Sequence, residues 1–181
     1  MVWYVVFSLV VTHEPGVDNY RWARNQLRQI VGPKLRYVSS YQSVILYDLD
    51  EDPHEVAREI REALRGVGTP IIRVIPVDYV TDPYINDVVE VVKESIAPRI
   101  PEGTKFRVTL EGHLYAVMED GSRVRMRTID AVREIAKYID RPVDLKNPEL
   151  IVLVKVVKYM RGRRKAGISL LKPEELRRVS P

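Results

Sequence analysis

Leu150–Lys158 reads LIVLVKVVK, nine residues of which seven are Leu, Ile or Val. Such a run falls far short of the roughly 20 apolar residues that cross a bilayer, and its β-branched content marks a strand buried on at least one face. Arg161-Gly162-Arg163 supplies a turn, and the chain returns through Ala166 to Leu171, so the stretch predicts a hairpin. Its charged residues are all of one sign. Between Leu150 and Pro173 stand Lys155, Lys158, Arg161, Arg163, Arg164, Lys165 and Lys172, without one Asp or Glu. A basic ribbon on a strand scaffold suits a phosphate backbone; the alternative is a solvated hairpin edge.

The preceding residues predict a mixed α+β chain with a boundary near 79–83. Val2–Val11 reads as a strand, and Asp18 is placed to cap a helix running to Val31, with Tyr20, Ala23, Leu27 and Ile30 on one face. Leu35–Tyr41 and Ser43–Leu49 form a hairpin. Asp52-Pro53 opens a helix that buries Val56, Ile60 and Leu64, and Pro70–Val77 is a last strand. The order β-α-β-β-α-β over residues 1–79 is the split pattern of a ferredoxin-like sandwich. Beyond it, Asp82-Pro83 starts a helix over Tyr84–Ile96, and Lys105–Glu111 alternates as a strand. Leu114–Val124 folds back at Glu119-Asp120-Gly121-Ser122. Thr128 caps a helix to Ile139 that buries Ile129, Val132, Ile135 and Ile139.

Charge separates the two halves. Residues 1–82 carry 9 Lys+Arg against 11 Asp+Glu, whereas residues 83–181 carry 20 against 14, so a net of +4 hides −2 and +6. The second half is expected to meet a polyanion and the first to serve as a spacer or a protein-docking element. The high charged fraction, 30%, also suits a thermophile, which enriches Lys and Arg for other reasons. There is no cysteine, so disulfides, thiolate chemistry and Cys-type zinc sites are excluded, in keeping with a cytoplasmic protein. The opening apolar run lacks the flanks of a signal peptide, and no membrane span is expected. His13, His54 and His113 share no metal-ligand spacing, and no phosphate-cradling glycine loop or nucleophile motif occurs. No catalytic residue, cofactor or metal is expected.

Three motifs of the second half carry a family resemblance: Phe106-Arg107-Val108 followed by Arg125-Met126-Arg127, then Val143-Asp144-Leu145-Lys146-Asn147-Pro148-Glu149 before the Val-rich strand, and the closing Ala166-Gly167-Ile168-Ser169-Leu170-Leu171-Lys172-Pro173. Residues 83–175 resemble a THUMP domain, the RNA-binding module of tRNA-modifying proteins. Glu149 departs from the family, which more often has Asp there. The closing motif is most similar to THUMP proteins that assist tRNA cytidine acetyltransferase. The resemblance implies a small ferredoxin-like domain ahead of the module, and binding near the tRNA acceptor stem and its single-stranded 3′ end. THUMP enzymes such as thiouridine synthases, methyltransferases and pseudouridine synthases append a catalytic domain. With Pro181 as the last residue, none is expected here.

The expected RNA-binding residues are Arg125, Arg127, Lys146, Lys158, Arg161, Arg163, Arg164, Lys165 and Lys172. Arg forks two donors onto one phosphate, and Lys acts as a mobile point charge. Arg125 and Arg127 stand at a helix start, where free amides add to a phosphate grip; the alternative is two exposed arginines on a hairpin strand. Tyr115 and Tyr159 either stack on an unpaired base or pack against neighbouring strands. The expected function is a non-catalytic adaptor that presents tRNA to a separate modification enzyme, with a cytidine acetyltransferase as the specific version. The rivals are an RNA-modifying enzyme with an unrecognised site, and an interaction module for an acidic partner.

Overall fold

A computed structural model describes residues 6–180 and divides them between two four-stranded sheets, each with its own core. The first unit runs to Asp78 and takes up the chain again from Glu174. It contains β1 (Leu9–His13), α1 (Val17–Ile30), β2 (Arg36–Tyr41), β3 (Val44–Asp48), α2 (Pro53–Leu64) and β4 (Ile71–Pro76). The strands lie in the order β2-β3-β1-β4, and each paired neighbour is antiparallel. Part of the expected strand Val2–Val11 lies outside the described residues; the described strand starts at Leu9. Gly16, at φ +113°, takes the N-cap of α1 where Asp18 was expected, and Asp18 falls in the first turn, where its charge complements the helix dipole. Asp52 caps α2 by accepting the His54 N–H at 2.9 Å. Ala23 and Leu27 of α1 and Val56, Ile60 and Leu64 of α2 close over Leu9, Val11, Ile45 and Val74. Each fully buried Leu or Ile contributes about 1.5–3 kcal/mol.

The C-terminal segment completes this unit rather than the second, which was expected to extend to residue 175. Val179 donates its N–H to the Ile72 carbonyl at 2.7 Å and packs on the core. His54 lies between two carboxylates, Asp78 Oδ1 at 2.7 Å from Nε2 and Glu175 Oε2 at 2.6 Å from Nδ1. Burial opposes its charge, but the hydrogen bonds and negative charges of Asp78 and Glu175 outweigh that and push its pKa up to about 10. His54, one of three histidines that share no metal-ligand spacing in the sequence, is thus an ion-paired clasp.

The second unit, Tyr79–Pro173, comprises β5 (Tyr79–Thr81), α3 (Ile85–Val91), β6 (Phe106–Glu111), β7 (Tyr115–Val117), β8 (Arg123–Arg125), α4 (Thr128–Ala136), β9 (Leu150–Lys158) and β10 (Arg164–Leu171). A short helix, α5 (Pro173–Leu176), leads back to the first unit. The main sheet has the order β5-β10-β9-β6, with β9 parallel to β6 and antiparallel to β10. Ile151 to Val154 are all buried, so β9 is covered on both faces, which accounts for its unbroken apolar run. β7 and β8 form a separate hairpin.

Three details depart from expectation. β5 is only three residues long and falls in the stretch expected as the boundary between halves, yet it pairs with β10 from Ala166↔Thr81 to Ile168↔Tyr79. The helix expected over Tyr84–Ile96 stays α-helical only to Val91, widens to a π turn over Val92–Ile96 and tightens at Ala97–Arg99, around a proline without an N–H. In α4 the buried positions are Ala131 and Ile135, followed by Ile139, while Ile129 is 50% exposed. Among the described residues no helix is long and apolar enough to cross a membrane.

Gly112 (φ +94°) directly follows β6, and a Cβ there would stand 2.8 Å from Val156 Cβ on β9. Gly112→Ala therefore combines a strained backbone with overpacking, and thermal denaturation should show a loss of about 2–4 kcal/mol. His54 has a folded pKa raised above its unfolded value, so its stabilisation is complete below about pH 6.5 and is lost as pH rises to about 10. His54→Gln should cost about 3 kcal/mol near pH 6.5, by removing the cation from two largely buried carboxylates. In denaturant titrations the gap between wild type and this variant should narrow steadily from pH 6.5 to 10.

Candidate nucleic-acid interface

Three chain segments of the second unit converge at the tip of the β9–β10 hairpin. The first is Asp82-Pro83-Tyr84, directly after β5. Asp82 Oδ1 accepts from Lys165 Nζ at 2.9 Å, and the Pro83 carbonyl accepts the Tyr115 N–H at 3.0 Å, so this segment is tied to both β10 and β7. Tyr84 and Tyr115 also form a parallel bridge. The second segment is the β7–β8 hairpin, in which Tyr115 pairs with Arg125 and Val117 with Arg123. Alternation puts these four side chains on one face. The Arg123 guanidinium lies 4.9 Å from the Tyr84 ring centroid, within cation–π range.

The third segment is the tip itself. Tyr159 donates its N–H to the Arg163 carbonyl at 2.6 Å, and Arg163 donates to the Met160 carbonyl at 3.1 Å, closing a tight turn. Arg161 (φ 53°) and Gly162 (φ 74°) are both left-handed there. Glycine takes this conformation freely, but for arginine it costs about 1–2 kcal/mol. Together the segments enclose an open recess of about 610 Å³ lined by Tyr84, Tyr115, Arg123, Arg163, Arg164 and Lys165, with Asp82, Pro83 and Gly162.

Ion pairing decides which of these cations are available. Lys165 is held by Asp82, whereas Arg123, Arg163 and Arg164 are exposed and have no carboxylate partner among the described residues. The recess thus joins three uncompensated guanidinium groups to two tyrosine rings. That combination binds anionic groups attached to flat rings, the makeup of a nucleotide strand. Among the described residues no group of three His, Asp or Glu side chains is placed to hold a metal ion.

The residues expected from the sequence divide into two sets. Arg163, Arg164 and Lys165 line the recess, Arg161 leads its tip, and Lys158 stands opposite Arg164 in the ladder. Arg125 faces the same side of its hairpin as Tyr115, while Arg127 occupies the N-cap of α4 and is held by Asp130 at 2.9 Å. Lys146 and Lys172 lie elsewhere. Leu171 pairs with Ile151, so Lys172 and the loop before β9 are at the opposite end of the sheet, with Lys172 roughly 26 Å from Arg164 at 3.3 Å per residue. In that loop Asp144 Oδ1 accepts the N–H groups of Asn147 (2.9 Å) and Lys146 (3.0 Å), which hold its carboxyl below the usual range and fix the loop's shape. Lys155 is paired with Glu111 at 2.8 Å and is only 13% exposed, so the ribbon is not continuous.

Sequence reasoning missed Tyr84 and Arg123 as partners. Tyr84 lies off the apolar stripe of the following helix, Ile85, Val88 and Val92, and that was the one available signal. Nothing local tied it to Arg123, which is 39 residues away.

The sequence matches no protein-family model and no curated protein. The fold, by contrast, is shared with solved structures. PH1313 from Pyrococcus horikoshii Ot3 superposes over 92% of this chain with a TM-score of 0.62 at 16% identity. A 4-thiouridine synthetase, solved in complex with RNA and with bound ATP, covers 92% with a TM-score of 0.56 at 10% identity. TrmN from Thermus thermophilus covers 94% with a TM-score of 0.55 at 18% identity. The chain spans 55%, 42% and 46% of those chains, about half of each. At such identities the likeness is one of fold, and in fold the chain is similar to proteins that include a 4-thiouridine synthetase solved with RNA.

Proposed function

We propose that the chain binds tRNA in the acceptor-stem region and presents it to a modification enzyme supplied by a separate chain. On the resemblance of Ala166–Pro173, a cytidine acetyltransferase is the specific version. In this reading the first unit is a ferredoxin-like domain and the second a THUMP-like domain, close to the 1–79 and 83–175 of the sequence. The observation that carries the reading is the recess at the hairpin tip, where Arg123, Arg163 and Arg164 stand uncompensated beside Tyr84 and Tyr115. The fold shared with an RNA-bound 4-thiouridine synthetase supports it.

Each part of the recess has a task that its chemistry suits. Arg163 and Arg164 fork donors onto phosphates of a stem, and Arg161 and Lys158 extend the positive surface along the tip. Tyr115, with the Tyr84–Arg123 pair, offers stacking to an unpaired base at the end of the stem. Arg125 and Arg127 sit beside this surface, with Arg127 partly spent on Asp130. Lys146 and Lys172 contribute only to the long-range field.

Anisotropy titrations with intact tRNA across a salt series test this. Replacing Arg123, Arg163 and Arg164 together by Gln should weaken binding ten- to a hundredfold near 150 mM salt and flatten the log–log salt slope by about 2–3. Lys146→Gln with Lys172→Gln should change affinity less than threefold. Trimming the tRNA 3′ end should weaken wild type, and Tyr84→Leu with Tyr115→Leu should remove that preference. Equal tRNA binding by the folded triple variant would sink the recess as the RNA site, and a preference for heparin over tRNA would favour an acidic protein partner. Incubation of the chain alone with tRNA and group donors, followed by nucleoside mass analysis, should show no new nucleoside; a modified one would overturn the adaptor reading.

A further inference from the structure

Helix α1 carries Arg21, Arg24 and Arg28 at spacings of three and four, so they share one side of the helix. Lys34, Arg36, Arg58 and Arg65 of the same unit are each paired with a carboxylate. The three arginines of α1 are not, among the described residues. Arg24 Nη1 donates to the Tyr20 hydroxyl at 3.2 Å and its guanidinium lies 4.2 Å from the Tyr37 ring centroid, while Arg28 has only a 3.4 Å contact to Asn25 Oδ1. An arginine held by rings and hydroxyls keeps its full charge and most of its donors.

The arginines border a built recess. Arg24, Arg28, Gly32, Pro33, Leu35 and the buried Tyr47 enclose a cavity of about 430 Å³, the size of a small-ligand site. Tyr20, which touches Arg24, also borders a second recess of about 610 Å³ with Ser40 and Gln42. The second recess is lined by Ser40 of β2, the edge strand of the sheet, and the first by Leu35, which directly precedes that strand. A register irregularity between Tyr37 and Ser39 lets Tyr37 and Ser40, three residues apart, turn to the same side, where their hydroxyls meet at 2.8 Å. Tyr37 remains 43% exposed.

We propose that this face of the first unit is a second nucleic-acid site, in which Arg24 and Arg28 take a phosphate of a single-stranded segment and the exposed part of Tyr37 stacks on an adjacent base. A recessed arginine pair with a partly exposed aromatic ring beside it matches the two needs of a single strand, charge along the backbone and a platform for a base. An acidic peptide needs the cations but not the ring. The −2 balance of the first half thus conceals a basic face, because most of its acids are engaged elsewhere: Asp48, Asp50 and Glu51 with Lys34 and Arg36, Glu55 and Glu62 with helix neighbours, which leaves Asp18 as the one acid on α1 itself.

The site is separate from the recess at Tyr84, and the test keeps the two apart. The full chain carrying Arg123→Gln, Arg163→Gln and Arg164→Gln is titrated with a fluorescein-labelled single-stranded RNA hexanucleotide. This chain should still bind it, and adding Arg24→Gln with Arg28→Gln should weaken binding at least tenfold. Because Arg24 is half-buried, Arg21→Gln with Arg28→Gln, both exposed, provides a second variant that should keep the wild-type melting curve and lose several-fold in affinity. In wild type, the hexanucleotide should shift the side-chain NMR resonances of Arg24, Arg28 and Tyr37. No binding by the triple variant, equal binding with and without the α1 arginines, or unmoved α1 and Tyr37 resonances would each overturn the proposal. So would a poly-aspartate peptide that displaces the hexanucleotide at equal concentration, which would make the face a dock for an acidic protein. Wild-type tRNA binding lost in the triple variant while the hexanucleotide result fails would leave the recess at Tyr84 standing alone.

Discussion

The pairing of β9 with β10 is the constraint from which the second unit is built. Eight successive pairs, Arg164↔Lys158 to Leu171↔Ile151, satisfy the backbone of two strands that are too buried to be hydrated. Their other edges are then taken by β5 and β6, so the position of every other element follows from this register. Shifting it by one residue would turn Val152, Val154, Ala166 and Ile168 out of the core and bring Lys155 in. The same register delivers Arg163, Arg164 and Lys165 to one end of the sheet and leaves Lys172 at the other. A functional surface and a core are specified by a single ladder.

The first unit depends on a different device. Its chain is interrupted by the 79–173 segment and resumes at Glu174, so its completion requires two distant stretches to meet. His54 supplies the meeting point through Asp78 and Glu175, at either side of the interruption. Two largely buried carboxylates would repel each other; one imidazolium between them turns that cost into a bond. A histidine suits the position because it offers a donor on each side of a flat ring and its charge is stabilised by both partners at once.

The legibility of these features followed the range of the interactions behind them. Periodicity and punctuation are local, so the run of elements in the first half, the Asp52 cap and both strands of the basic hairpin could be read directly. β5 could not, because three residues carry no period and their strand character comes from β10. Ile129 was misassigned for a related reason: counting from the cap gave a plausible stripe, but packing selected the neighbouring stripe through Ala131, Ile135 and Ile139. The Tyr84–Arg123 contact and the His54 clasp join residues 39 and 121 positions apart, the latter between His54 and Glu175. No local pattern encodes such pairs.

Formal charge was the least transferable quantity, for a physical reason. A lysine beside a carboxylate adds to the count of cations but little to the field a ligand meets, because the pair's potential falls off rapidly in water. Lys155 and Lys165 both belong to the acid-free stretch in sequence, and each meets an acid from elsewhere in the fold, Glu111 and Asp82. Six acids of the first half, conversely, are consumed by Lys34, Arg36, Arg58 and Arg65, and none of them reaches the α1 arginines. What the fold determines is therefore not how many charges the chain has but which of them remain unpaid. By that measure the two halves resemble each other more than −2 and +6 suggest, since each presents arginines without a carboxylate partner beside tyrosine rings.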